Sequence, residues 1–193
     1  MLSREDLQRL IHRPASSNPV LSVYLDMRVN SDNKRTYAIF LNQQRSRLLA
    51  TGGVAGQRPL REALDLVDSW NDTSFDEANK GVALFLEAGG DFFEAYQVPV
   101  PVENRLEIGD RPFVGPLVRL LDENPSRMLV VVAKEMMRMV AVEFGVPVEE
   151  RELRPDVIDA PHDVWSDVEL GLQAAGAKLV ALLLTHGHWG SYR

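Results

Sequence analysis

The sequence predicts an α+β fold in which antiparallel strands pair through short turns and the helices are segregated from them. Three observations carry this expectation. GVALFLEAGGDFFEAYQVPV holds two short apolar runs around Gly-Gly-Asp, a hairpin signal. SRMLVVVAKEMMRMVAVEFG repeats that arrangement around a polar turn at Ala133-Lys134-Glu135. Helical periodicity is confined to separate stretches, so the strand–helix–strand alternation of a wound parallel sheet does not develop.

Taken in order, SREDLQRLIH begins with Ser3 as an N-cap and spaces Leu7, Leu10 and Ile11 for one helix face, ending near Pro14. VLSVYLD is a short strand closed by Asp26. KRTYAIFLNQQRSRLLA places Tyr37, Phe40, Leu41, Leu48 and Leu49 at helical spacing, with Asp32 or Asn33 available as caps. GGVAGQ at 52–57 reads as a flexible break before a second helix, LREALDLVDSW, and has no Lys-Ser/Thr to make it a phosphate loop. After the first hairpin, VENRLEI adds a third strand. GDRPFVGPLVRLLDE then leads through a loop into a short helix with Pro116 in its first turn. NPSR links to the second hairpin. VPVEERELRPDVIDAP is acidic and extended, residues 163–175 read as a helix, and residues 178–184 as a strand. The boundary falls at the linker, giving domains at 1–125 and 126–193.

Composition narrows the function classes. The 193 residues contain no cysteine, which excludes disulfides, thiolate metal sites and a cysteine nucleophile. The charged start MLSREDLQRLIHRP lacks the apolar core of a signal peptide, and MLVVV and LVALLL are too short to span a bilayer. The expectation is a cytoplasmic protein with no membrane partner. A net charge of −7 does not advertise nucleic-acid binding, and DNA is not expected as a partner. The charge is uneven, however. From Arg28 to Arg61 seven basic residues face Asp32 alone, about +6 net, whereas from Glu143 to Glu169 nine acids face Arg151 and Arg154, about −7 net. The basic stretch is either a phosphate-facing surface or a solvated helix face.

No Walker loop, dinucleotide fingerprint, HExxH or G-x-S-x-G motif occurs. The tail THGHWGSYR brings His186 and His188 close together. They are weak candidates for metal chelation, with His162 or Asp163 as a third ligand, or for activating water near neutral pH. No metal and no cofactor is expected. Asp26 reads as a turn residue at a strand end.

Several stretches together resemble a known family. NPVLSVYLD followed by NKRTYAIFLNQQRSRLL is similar to the start of archaeal and eukaryotic class-one peptide-chain release factors, in which a strand leads through a loop to an arginine-rich helix. GVALFLEAGGDFFEAYQVPVPVENRLEIGDRPFVGPLVRLL resembles the next part of that domain, and SRMLVVVAKEMMRMVAVEFG the opening hairpin of the second. The likeness covers residues 18–145 and is strongest to the bacterial archaeo-eukaryotic release factor family. Order and texture carry it more than any one motif.

The resemblance implies a release-factor-like N-terminal domain, a mixed or antiparallel sheet with helices, followed by an incomplete second α/β domain. It implies a translation-associated protein that binds the ribosome or tRNA. Residue by residue, the family's NIKS loop is only echoed in NSDNKR at 30–35. Of its YxCxxxF motif, aligned with residues 107–113, Phe113 alone fits; Glu107 and Gly109 hold the tyrosine and cysteine positions. A glutamate there removes the π-face and repels phosphate, so stop-codon reading is not expected. No Gly-Gly-Gln, the family's peptide-release motif, occurs, and residues 150–175 are acidic where a basic helix is expected. His188-Trp189-Gly190 faintly echoes a Gly-Gly-Trp variant. Any activity would be peptidyl-tRNA ester hydrolysis. Lys34, Arg35, Arg45 and Arg47 are the expected contacts to RNA phosphates, positioning without reading sequence. The alternative is a protein-binding or regulatory module that homodimerises through the second domain, where MLVVV, MVAVEF and LVALLL need cover.

Overall fold

The computed structural model describes residues 2–32, 34–51, 54–133, 136–153 and 178–184. These form an α+β protein with antiparallel pairing throughout, save for one parallel pair of strands in the second half. The chain divides into two compact units, Met1–Leu120 and Leu121–Arg193.

The first unit is built on a four-stranded antiparallel sheet. Its strands are β1 (Val20–Asp26), β2 (Gly81–Glu87), β3 (Phe93–Val98) and β4 (Arg105–Gly109), in the order β3-β2-β1-β4. The two central strands are VLSVYLD and GVALFLE, and the first six residues of each are buried. A strand covered on both faces reads as an unbroken apolar run, which is why these two sequences lack alternation. The edge strands FEAYQV and RLEIG are partly polar.

Register sorts the sheet into two faces. Leu21, Val23 and Leu25 of β1 join Val82, Leu84 and Leu86 of β2 on one of them. There they meet Tyr37 and Leu41 of helix α2 (Tyr37–Thr51) and Ala63, Leu64 and Val67 of helix α3 (Val54–Ser74). The other face carries Ser22 and Tyr24 beside Phe85 and Tyr96. Tyr24 and Phe85 meet edge-on at 5.9 Å, and Phe85 and Tyr96 at 6.2 Å. Helix α1 (Arg4–Ile11) is tied to this face through Arg9, which donates to the Tyr96 hydroxyl at 3.1 Å. Its start is a full capping box. The Asp6 amide donates to the Ser3 hydroxyl at 3.0 Å, and the Ser3 amide donates to the Asp6 carboxylate at 2.9 Å. In the β2–β3 turn Gly89 adopts φ +78, a conformation that a side chain would strain.

Two boundaries differ from the sequence expectation. α2 begins at Tyr37, not near Lys34, so Asp32 stands too far ahead to cap it, and Asn33 lies outside the described residues; an antiparallel bridge pairs Val29 with Arg35 in the loop before it. α3 begins at Val54 and carries Pro59 inside it, so GGVAGQ is not a break of six residues. Gly56 and Pro59 are poor helix formers, and the apolar stripe that follows overrides them. Farther along that stripe Asn71 is 4% exposed, yet neither side-chain polar atom finds a partner among the described residues. Burying an unpaired amide is costly, so Asn71→Leu is expected to raise stability by about 1 kcal/mol. Urea unfolding checks this; a lowered midpoint would show that the amide is needed.

Helix α4 (Gly115–Glu123) buries Leu117 and Leu120. The second unit holds a sheet of order β7-β6-β5-β8, from β5 (Arg127–Ala133), β6 (Met136–Glu143), β7 (Val146–Leu153) and β8 (Lys178–Leu184). β5 and β6 form the expected hairpin, and β8 pairs with β5 in parallel. The stretch read only as acidic and extended supplies β7, an edge strand that carries Pro147, Glu149, Glu150, Arg151 and Glu152. Proline and charge on an edge discourage pairing with another chain. Met128, Val130, Met139 and Phe144 are buried within the chain itself. The expected helix at 163–175 and the tail histidines His186 and His188 lie outside the described residues.

Candidate nucleic-acid interface

From Asn33 to Arg61 the chain contains no acidic residue and six basic ones, Lys34, Arg35, Arg45, Arg47, Arg58 and Arg61. The structure sorts these cations. The loop ahead of α2 is set by Asn30. Its amide donates to the Lys34 carbonyl at 2.9 Å, while its Oδ1 accepts from the amides of Asp32 and Lys34 at 3.0 and 2.9 Å. This presents Lys34 to solvent. Arg35, one residue on, turns inward to pair with Glu77, and its guanidinium lies 5.1 Å from the Phe75 ring. The hydrogen bond to Glu77 pushes the Arg35 pKa up, so it is a permanent cation tying this loop to the segment after α3.

Arg45 sits on the side of α2 that meets α3 and bridges Asp65 and Asp68 at 3.1 and 2.5 Å. Both acids are about half exposed, so the bridge adds little stability and acts mainly to orient the two helices. Arg58 pairs with Glu62 one turn on, at 2.8 Å. Arg28, just before this run, chelates Asp26 at 2.6 Å. Burial pushes Asp26 up, but the hydrogen bonds and charge of Arg28 outweigh it and hold the carboxyl below the usual range.

Of the four cations expected to contact phosphate, Arg35 and Arg45 are half-buried and pair with acids, and Lys34 and Arg47 are exposed to solvent. Arg47 lies on the outward stripe of α2 with Ile39, Asn42, Gln43 and Ser46, and these five line a shallow open cavity of about 470 Å³. The spacing 39, 42, 43, 46, 47 is one helix face. The spacing of Tyr37, Phe40, Leu41 and Leu48 marks the inward face in the sequence and leaves the polar residues outward; the exposure of Ile39 among them is what the sequence does not show.

A second exposed feature lies on the opposite face of the sheet. The Phe113 backbone is pinned at both ends: its amide donates to Ser22 Oγ at 2.8 Å, and its carbonyl accepts from the Tyr24 hydroxyl at 2.5 Å. Burial pushes the Tyr24 phenol up, which keeps it a neutral donor. The Phe113 ring remains 38% exposed, with the Arg105 guanidinium 4.7 Å from its centroid. Glu107, two residues along β4, accepts from Arg105 at 2.9 Å. Arg105 was not singled out from sequence, because only strand pairing brings it to Phe113.

Among the described residues no three His, Asp or Glu side chains converge as a metal site. Among the same residues no helix is long and apolar enough to cross a membrane.

No family model matches the chain. No curated protein matches it. Solved structures that do match include one described as an archaeal protein, at 17% identity and a TM-score of 0.42. Another is an archaeal translation termination factor, aRF1, at 19% identity and a TM-score of 0.37. Each match covers 95% of this chain and 57% of the other.

Proposed function

We propose that this chain is a translation-associated protein of release-factor descent that binds the ribosome or tRNA, without reading a stop codon and without Gly-Gly-Gln-dependent peptide release. The observation that carries the reading is the acid-free run from Asn33 to Arg61, which holds Lys34 and Arg47 exposed on a protein of net charge −7. Basic charge concentrated in one stretch of an otherwise acidic chain is the footprint of a phosphate partner. The segment resemblance over residues 18–145 supplies the translational context. In this reading Lys34 and Arg47 touch phosphate. Arg35 and Arg45 contribute by holding the loop and α2 in place, as their pairs with Glu77, Asp65 and Asp68 require. At the codon-motif positions, Glu107 is engaged by Arg105 and presents a carboxylate where a base-stacking aromatic would be needed.

The test is incubation with ribosomes that carry peptidyl-tRNA. The expected result is that the protein pellets with the ribosomes and leaves ester hydrolysis at the background rate. Failure to pellet would overturn the binding, and accelerated hydrolysis would overturn the assignment as a non-releasing relative.

A further inference from the structure

We infer that the last two turns of α3 and the residues just after them, 67–77, form a latched flap that opens while the sheet beneath stays folded, with the Gln97 side chain as its latch. Two independent observations carry this. The first is Asn71, which lies inside the stretch, 4% exposed, with both side-chain polar atoms unpaired among the described residues. Lifting the helix end returns this amide to water, so its burial works against the closed form and acts as a built-in release. Little else holds the stretch down by burial. Besides Asn71, Val67 is the one buried side chain among the described residues 67–77, and Trp70 and Phe75 are only partly buried against the core.

The second observation is how the end of α3 is fastened. The last carbonyls of a helix have no partner within it. That of Ser74, the final residue of α3, accepts from Gln97 Nε2 at 3.1 Å, and the Asp76 amide donates to Gln97 Oε1 at 2.7 Å. Asn79 Nδ2 donates to the same oxygen at 3.5 Å. One side chain on the edge strand β3 thus grips the chain on both sides of the helix end. The remaining ties are the pairs of Arg45 with Asp68 and Arg35 with Glu77, whose acids are 45% and 78% exposed, so each is weak. A few solvent-reached side-chain bonds closed over an unpaired amide mark a region of low local stability. The central strands β1 and β2 differ in kind, since each is buried along six residues and paired on both edges.

The chain contains no cysteine, so a single engineered thiol reports opening at its own position. Labelling by dithionitrobenzoate is followed for Val67→Cys in the flap and for Ala83→Cys in β2, both fully buried sites. Val67→Cys is expected to react faster than Ala83→Cys by about tenfold or more, with a shallower dependence on urea, because local opening exposes less surface than unfolding of the sheet. In the Val67→Cys protein, Gln97→Ala is expected to speed labelling about tenfold by removing two hydrogen bonds. Asn71→Leu is expected to slow it about fivefold. Phe85→Leu, on the other face of the sheet, is the control expected to leave it unchanged. Circular dichroism confirms that the variants fold. Equal rates with equal urea dependence at the two thiols would show that α3 opens only with the whole unit and would overturn the flap. A Val67→Cys rate raised by Phe85→Leu would do the same. Indifference to Gln97→Ala overturns the latch, and a rate not slowed by Asn71→Leu overturns the release.

Discussion

Phe85→Ala is expected to cost the first unit about 3–5 kcal/mol. Phe85 is fully buried on a central strand, with Tyr24 at 5.9 Å on one side and Tyr96 at 6.2 Å on the other. Its removal leaves a cavity bounded by two rings that cannot close in. Tyr24 is held by its hydrogen bond to the Phe113 carbonyl, and Tyr96 by those to Arg9 and Glu94. A site that cannot collapse pays the full cavity penalty. Trp70, half-buried against the core on the other side of the sheet, reports unfolding of this unit if Trp165 and Trp189 are first replaced by phenylalanine. Urea unfolding read by that fluorophore should show the loss. A change under about 1 kcal/mol would mean that the aromatic face is not packed as described.

Lys34→Glu/Arg47→Glu is expected to lower ribosome binding by about tenfold or more at near-physiological salt, with little change in thermal stability. Arg35→Glu/Arg45→Glu makes the same charge change and should behave differently. It sets a new carboxylate against Glu77 in one place and against Asp65 and Asp68 in the other, so it should lower the melting temperature as well as binding. Ribosome pelleting beside thermal unfolding separates contact from scaffold. If both doubles lose binding equally at equal stability, the division between exposed and half-buried cations is wrong.

Much of the fold was legible, for physical reasons that differ by element. β1 and β2 announce themselves as apolar runs too short for helices and too continuous for half-exposed strands. α1 is placed by Ser3 as N-cap and by the spacing of Leu7, Leu10 and Ile11, and the structure adds Asp6 as the other half of a capping box. The start of α3 was hidden, since Gly56 and Pro59 argue locally against the helix that the packing of Ala63, Leu64 and Val67 imposes. β7 was not recognised as a strand because VPVEEREL is dominated by charge. Its strand character comes from pairing with β6, where Arg138 meets Glu150 at 2.5 Å. For the site, composition along the chain located the basic stretch but did not say which cations face outward. Arg45 finds its acids at positions 65 and 68, and Arg35 finds Glu77. Such pairings are set by the tertiary fold and leave no trace in local spacing.

The measurement that bears most directly on the central claim is ribosome co-sedimentation across a salt series, with wild type beside Lys34→Gln/Arg47→Gln. Contact with phosphate through these two cations predicts that log affinity falls linearly with log salt. It also predicts that the double variant loses between about 1.4 and 1.8 from that slope. No pelleting of wild type at low salt, or the same slope in both proteins, would contradict the account.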